Sequence, residues 1–137
     1  MTVAVAGCWE LGYSAPLTER DLWLFPLRDF EVDRWLMSPV SGIYEPLLEE
    51  RDTLEGLEVD GLTRVFVDEH GVTELSDFDH PKDALYIFGK AGFSPLRAYG
   101  TQGDLSVRVD TPAAGGMMWP HQVAVLTLWH RRAQSWR

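Results

Sequence analysis

The chain has 137 residues, 45% of them hydrophobic and 24% charged, enough to build the core of one folded domain and too apolar for an intrinsically disordered chain. Its formal charge of −9 excludes a general polyanion binder, because such affinity comes from Lys and Arg displacing counterions; any RNA contact must be local. The single cysteine, Cys8, excludes an internal disulfide and a cysteine-based metal cluster, and a reducing cytoplasm suits it.

The opening run MTVAVAGCWELGY is too short in its apolar part, and too poor in basic flanks, for a signal peptide or a membrane span. It predicts a first strand from Val3 to Cys8, closed by a turn-prone segment. Thr18 is the N-cap candidate for a helix through ERDLWLFPLRDF, with acidic groups in the first turn and Pro26 as a weak point or kink. DRWLMSPV predicts a second strand closed by Pro39. YEPLLEERDTLEGL predicts a helix starting at Glu45 or Pro46, with Leu47, Leu48, Leu54 and Leu57 as its apolar members. LTRVFVDE is a third strand, TELSDFDHPKD a short helix or loop, ALYIFG a fourth strand and DLSVRVDT a fifth. The chain closes in a helix, HQVAVLTLWHRRAQSWR, whose apolar residues Val123, Val125, Leu126, Leu128 and Trp129 wrap so much of its circumference that more than one face needs cover.

Strands alternating with helical segments predict an α/β domain with a mostly parallel, five- or six-stranded sheet and helices on both faces. In such sheets ligands bind beyond the carboxyl ends of the strands. That rule selects three loops: CWELGYSAP, FGKAGFSP and VDTPAAGGMMWP. In the second, a buried strand runs into a glycine-bearing loop with no helix-start signal behind it, which suits either a held ligand or a plain surface turn. In the third, the methionines suit either a binding loop or a core-filling connection. His70, His80, His121 and His130 have no metal-site spacing, so no metal is expected.

Taken in order, ALYIFGKAGFS, LSVRVDTP and MMWPHQVAVLTLWHRR resemble three elements of the SPOUT superfamily of S-adenosylmethionine-dependent RNA methyltransferases, and FEVDRWLMSP is similar to a Phe-Gly-Val-Asp segment many members carry after their first helix. The resemblance covers nearly the whole chain. It implies one SPOUT-like domain with a C-terminal trefoil knot, a homodimer, S-adenosylmethionine as cofactor and RNA as methyl acceptor. It also implies cofactor contacts from Phe88, Gly89, Lys90, Gly92, Val109, Asp110, Thr111, Met117, Met118 and His121, with Phe93 covering the ligand.

The family's usual ribose 2′-hydroxyl chemistry employs an Asn-rich motif and an Arg in the first helix; this sequence has no Asn, and the Arg position falls near Phe25. Arg20, just after the first loop, is the catalytic candidate, placed to stabilise a developing alkoxide or a phosphate, or else an ordinary helix-surface arginine. Glu10 and Tyr13 in that loop are candidates for a base or a substrate contact. A basic strip for RNA would draw on Arg20, Arg28 and Arg34, with Arg131 and Arg132 from a partner subunit. Two other readings stand beside methyl transfer to RNA: a cofactor-binding protein with another substrate or no transferase activity, and a non-catalytic interaction domain that uses its tryptophans.

Overall fold

The computed structural model describes residues 1–10, 16–113, 116 and 118–135. In chain order it contains β1 (Val3–Cys8), α1 (Pro16–Asp29), β2 (Arg34–Ser38), β3 (Leu48–Glu50), β4 (Thr63–Val67), β5 (Thr73–Glu74), one 3-10 turn (Leu75–Asp77), β6 (Ala84–Phe88), α2 (Pro95–Tyr99), β7 (Leu105–Arg108) and α3 (Pro120–Ser135). The strands form one seven-stranded sheet in the order β3-β2-β1-β6-β4-β7-β5, and every pairing is parallel. The two strands beyond the five read from the sequence, β3 and β5, are the short edges.

Side-chain alternation splits the core in two. Val5, Trp35, Met37, Val65, Val67, Tyr86 and Phe88 face α1 and α3, whose Trp23, Leu24, Leu27, Ala124 and Leu128 cover them. Ala4, Ala6, Cys8, Leu36, Phe66, Leu85 and Ile87 face the other way, against Leu54, Leu57 and the α2 residues Leu96 and Tyr99. β1 and β6 are buried on both faces, which is why they read as continuous apolar runs. Gly7 lets α1 approach closely: a Cβ there would lie 2.9 Å from Trp23 Cη2 and 3.2 Å from Met37 Sδ.

Three expectations change. The helix expected from Glu45 or Pro46 is instead a turn, strand β3 and a loop. Its acids have tertiary partners: Arg28 holds Glu45 at 2.6 Å, Arg34 grips Glu49 with two hydrogen bonds of 2.9 and 2.6 Å, and Glu50 accepts from Trp9 Nε1 and from Ser41. Thr18, expected to cap α1, lies inside it, because the helix starts at Pro16, a residue suited to a first helical position; α1 runs through Pro26 to Asp29, and the Pro26 carbonyl accepts from Phe30 N–H at 3.0 Å. The loop after β6 does have a helix behind it. Ser94 caps α2, accepting from Arg97 N–H at 3.2 Å, and Pro95 follows in its first turn.

Candidate functional site

The loops after β1, β6 and β7 leave the sheet at its carboxyl ends, beside the first turns of α1 and α3. After β1 the chain buries Trp9 and Glu10, at 1% and 5% exposure. Trp9 N–H donates to Ser38 O at 2.9 Å. The backbone N–H of Glu10 donates to Glu19 Oε1 at 2.5 Å, and the Glu10 carboxylate accepts from Ala91 N–H at 2.7 Å. One acidic residue thus joins the β1 loop to α1 and to the loop after β6.

That second loop is a built turn. Lys90 and Phe93 exchange backbone hydrogen bonds of 3.3 and 3.0 Å, and Gly92 has φ +76°, a conformation that favours glycine. A Cβ on Gly89 would meet Phe93 O at 2.5 Å; the glycine is required by the turn itself. Phe88 is buried with its ring edge-on to Trp23, the centroids 5.9 Å apart, and it supports the loop from below. Ser94 Oγ donates to Asp68 Oδ2 at 2.6 Å, tying the loop's far end to the carboxyl end of β4. After β7, Val109 packs on the core, Asp110 accepts from Arg108 Nε at 3.1 Å and donates its N–H to Glu74 Oε1 at 3.3 Å, and Thr111 Oγ1 donates to Ala113 O. Among the described residues, a Cβ on Gly116 would meet Thr111 Oγ1, at 3.5 Å.

A cavity of about 310 Å³ opens here, lined by Glu10, Glu19, Leu22, Trp119, His121 and Gln122. Trp119 precedes α3, Pro120 is its first residue, and Gln122 Oε1 accepts from Trp119 N–H at 2.8 Å, the return half of a capping box. The Trp119 and His121 rings are parallel within 6°, their centroids 6.2 Å apart, and His121 also meets Trp23 edge-on. Burial lowers the pKa of His121 from its usual value, against the opposing pull of Glu10. Burial pushes the Cys8 thiol up to about 11, so it stays protonated and is no nucleophile at neutral pH. A cavity of about 380 Å³ at the opposite, amino ends of the strands is lined by Met1, Val3, Asp33 and Leu128 among others, away from all three loops.

Of the residues singled out in the sequence, Glu10 and His121 share this cavity. Gly89, Lys90 and Gly92 shape the turn that Glu10 holds, and Val109, Asp110, Thr111 and the partly exposed Met118 belong to the loops around β7 and α3. Tyr13 and Met117 lie outside the described residues. Arg20 pairs with its neighbour Asp21 at 3.0 Å and is not among the residues lining the cavity; Glu19 is. The arginines of the expected basic strip have partners within the chain: Arg28 and Arg34 pair with Glu45 and Glu49, and the buried Arg131 donates to Pro81 O, Lys82 O and Tyr86 OH. Sequence reasoning missed Glu19 and Trp119. The i, i+4, i+8 spacing of Glu19, Trp23 and Leu27, all buried, was the signal for the first; Trp-Pro-His-Gln, a proline at the first helical position with glutamine two residues on, was the signal for the second.

The fold of this parallel sheet, with its loops gathered at the carboxyl ends of the strands, is similar to that of solved RNA methyltransferases of the SPOUT type. The SpoU methyltransferase AviRb from Streptomyces viridochromogenes, solved in complex with AdoMet, superposes with TM-score 0.75 at 12% identity, covering 98% of this chain and 58% of that one. A structure described as giving insights into 2-OH methylation of C/U34 on tRNA superposes with TM-score 0.71 at 9% identity, covering 100% and 93%. A putative TrmH-family RNA methyltransferase from Porphyromonas gingivalis gives 0.68 at 12%, covering 97% and 60%. The chain thus spans 58% of the Streptomyces protein. No family model matches the sequence, and no curated protein matches it either. Among the described residues no helix is long and apolar enough to cross a membrane, and no group of three or more His, Cys, Asp or Glu side chains could hold a metal.

Proposed function

We propose that this chain is a methyltransferase that takes its methyl group from S-adenosylmethionine and acts on RNA, as the tRNA- and RNA-directed structural neighbours do. The observation that carries the reading is the cavity at the carboxyl ends of the strands, where buried carboxylates and an aromatic pair meet the loops after β1 and β6. The donor set suits the cofactor: its sulfonium group is favoured beside the buried carboxylates of Glu10 and Glu19. The loops at 89–93, 109–113, 116 and 118 would hold the adenosyl part, with His121 at the start of α3. When bound, the cofactor supplies an electrophilic methyl; the chain's residues orient it and receive the acceptor's proton. The C-terminal knot and a homodimer through the exposed sides of α1 and α3 belong to the same proposal.

Titration calorimetry with S-adenosylmethionine tests it. Binding is expected, and Gly116→Val should weaken it about tenfold, or ~1.4 kcal/mol, because the added side chain, whose nearest described neighbour is Thr111 Oγ1 at 3.5 Å, would project into the space proposed for the cofactor. No heat of binding at millimolar cofactor would overturn the reading. The pairing of Arg28 and Arg34 with acids, together with the charge of −9, favours a non-RNA acceptor as the second reading. Transfer of a tritiated methyl group to total RNA separates the two.

A further inference from the structure

We infer, resting on the methyltransferase reading above, that the acceptor held in this cavity is the planar ring of a nucleobase, methylated on a nitrogen whose proton passes to Glu10. The aromatic floor and the acidic wall of the cavity lead there independently.

The floor is an aromatic platform. Trp119 remains 38% exposed, its backbone N–H is tied to Gln122 Oε1, and its ring lies parallel to the ring of His121, which steadies it. A ring held in this way offers a planar ligand a stacking surface without first having to be ordered. Leu22 adds an apolar side. A ribose, puckered and rich in hydroxyls, gains little from such a surface.

The wall is acidic. Glu10 and Glu19 are 5% and 1% exposed, and no Lys or Arg is among the described residues that line the cavity. Buried as it is, His121 is held toward its neutral form and does not offset them. A carboxylate wall repels a phosphate and accepts hydrogen bonds from amino and ring N–H groups. It also fails to stabilise an alkoxide, which needs a cation or an array of donors. Methylating a nitrogen that carries a proton requires the loss of that proton, and the Glu10 carboxylate, steadied by Ala91 N–H, is the group to take it. In the step, the nitrogen's electron pair forms a bond to the methyl carbon as that carbon's bond to the sulfonium sulfur breaks. The freed pair stays on sulfur as a neutral thioether. The nitrogen's proton goes to Glu10, which returns it to solvent when product leaves.

The test uses the full chain. Tryptophan fluorescence is titrated with adenosine, guanosine, cytidine and uridine, and with ribose 5-phosphate. At least one nucleoside should quench saturably, about tenfold more weakly in Trp119→Ala and with near-normal affinity in Trp119→Phe, while ribose 5-phosphate should not bind. RNA methylated by the enzyme is then digested, and mass spectrometry assigns the methyl to base or sugar; the base is expected. Glu10→Gln keeps an acceptor for Ala91 N–H, so it should fold. It should lower kcat by roughly a hundredfold, far more than it weakens nucleoside binding, whereas a merely structural role would lower both together. Methyl on the ribose, equal binding of ribose 5-phosphate, or no nucleoside binding in a protein that binds S-adenosylmethionine overturns this inference alone. Failure of cofactor binding overturns both it and the function it rests on.

Discussion

Gly7 shows how much one missing methyl group matters. Its Cα faces the ring of Trp23, which is 1% exposed and wedged edge-on against Phe88, so the ring has nowhere to go when a Cβ appears 2.9 Å from it. Gly7→Ala is therefore expected to destabilise the protein by about 1–3 kcal/mol, the usual cost of overpacking a filled core, seen as a lower denaturation midpoint; an unchanged midpoint would mean that α1 slides freely on the sheet. At this scale the sequence was legible where a residue's role is set by its neighbours in the chain. Val5, Val65 and Tyr86 announce their faces by alternation. Glu19 and Arg20 are adjacent, and which of them turns inward depends on how α1 lies against β1, which is decided by Trp23 and Gly7 across the core.

Among the elements, α3 is fastened to β6 by polar groups. Arg131 donates to Tyr86 OH at 3.0 Å; since a guanidinium only donates, the phenol hydrogen turns to His80 Nδ1, 2.6 Å away. His80 then carries its proton on Nε2 and gives it to His130 Nδ1 at 2.8 Å. Burial first, then the nearness of His130 and Arg131, lowers the His80 pKa from 6.5 to about 3. The folded state therefore binds fewer protons than the unfolded one between those values, so this contribution is complete above pH 6.5 and is lost as pH falls toward about 3. Denaturant midpoints measured through that range should decline less steeply for His80→Gln than for the wild type, and parallel curves would remove His80 from the account. The chief misreading of an element was the stretch from Glu45 to Leu57. The spacing of its leucines suits a helix, but Glu45, Glu49 and Glu50 are held by Arg28, Arg34 and Trp9, partners 17, 15 and 41 residues away, and no local pattern carries that information.

For the molecule as a whole, the outward side of the α1 and α3 pair is unusually apolar: Leu22, Phe25, Leu126 and Trp129 are 43%, 59%, 39% and 56% exposed. Such a patch on adjacent helices is suited to a second copy of the chain. Light scattering should give a dimer at micromolar concentration, and Phe25→Asp with Trp129→Asp should give a folded monomer; a wild-type monomer would count against assembly through this face. The parallel α/β architecture was legible because β1 and β6 are long, continuous apolar runs. The edges β3 and β5 were not, since three- and two-residue strands exist only by pairing with β2 and β7.

The strand order also governs how the chain reaches its native state. β6 lies between β1 and β4, strands that precede it by about 80 and 20 residues, and it is hydrogen-bonded to both. Until residue 88 is in place, the apolar strand Val3–Cys8 has β2 on one side and an open edge on the other. β6 must then bridge β1 and β4, and β7, later still, joins β5 to β4; such non-local pairings are slow for parallel sheets and leave a sticky template exposed in the meantime. A nascent chain halted before β6 should accordingly be a substrate for chaperones, whereas one released beyond β7 can close its sheet.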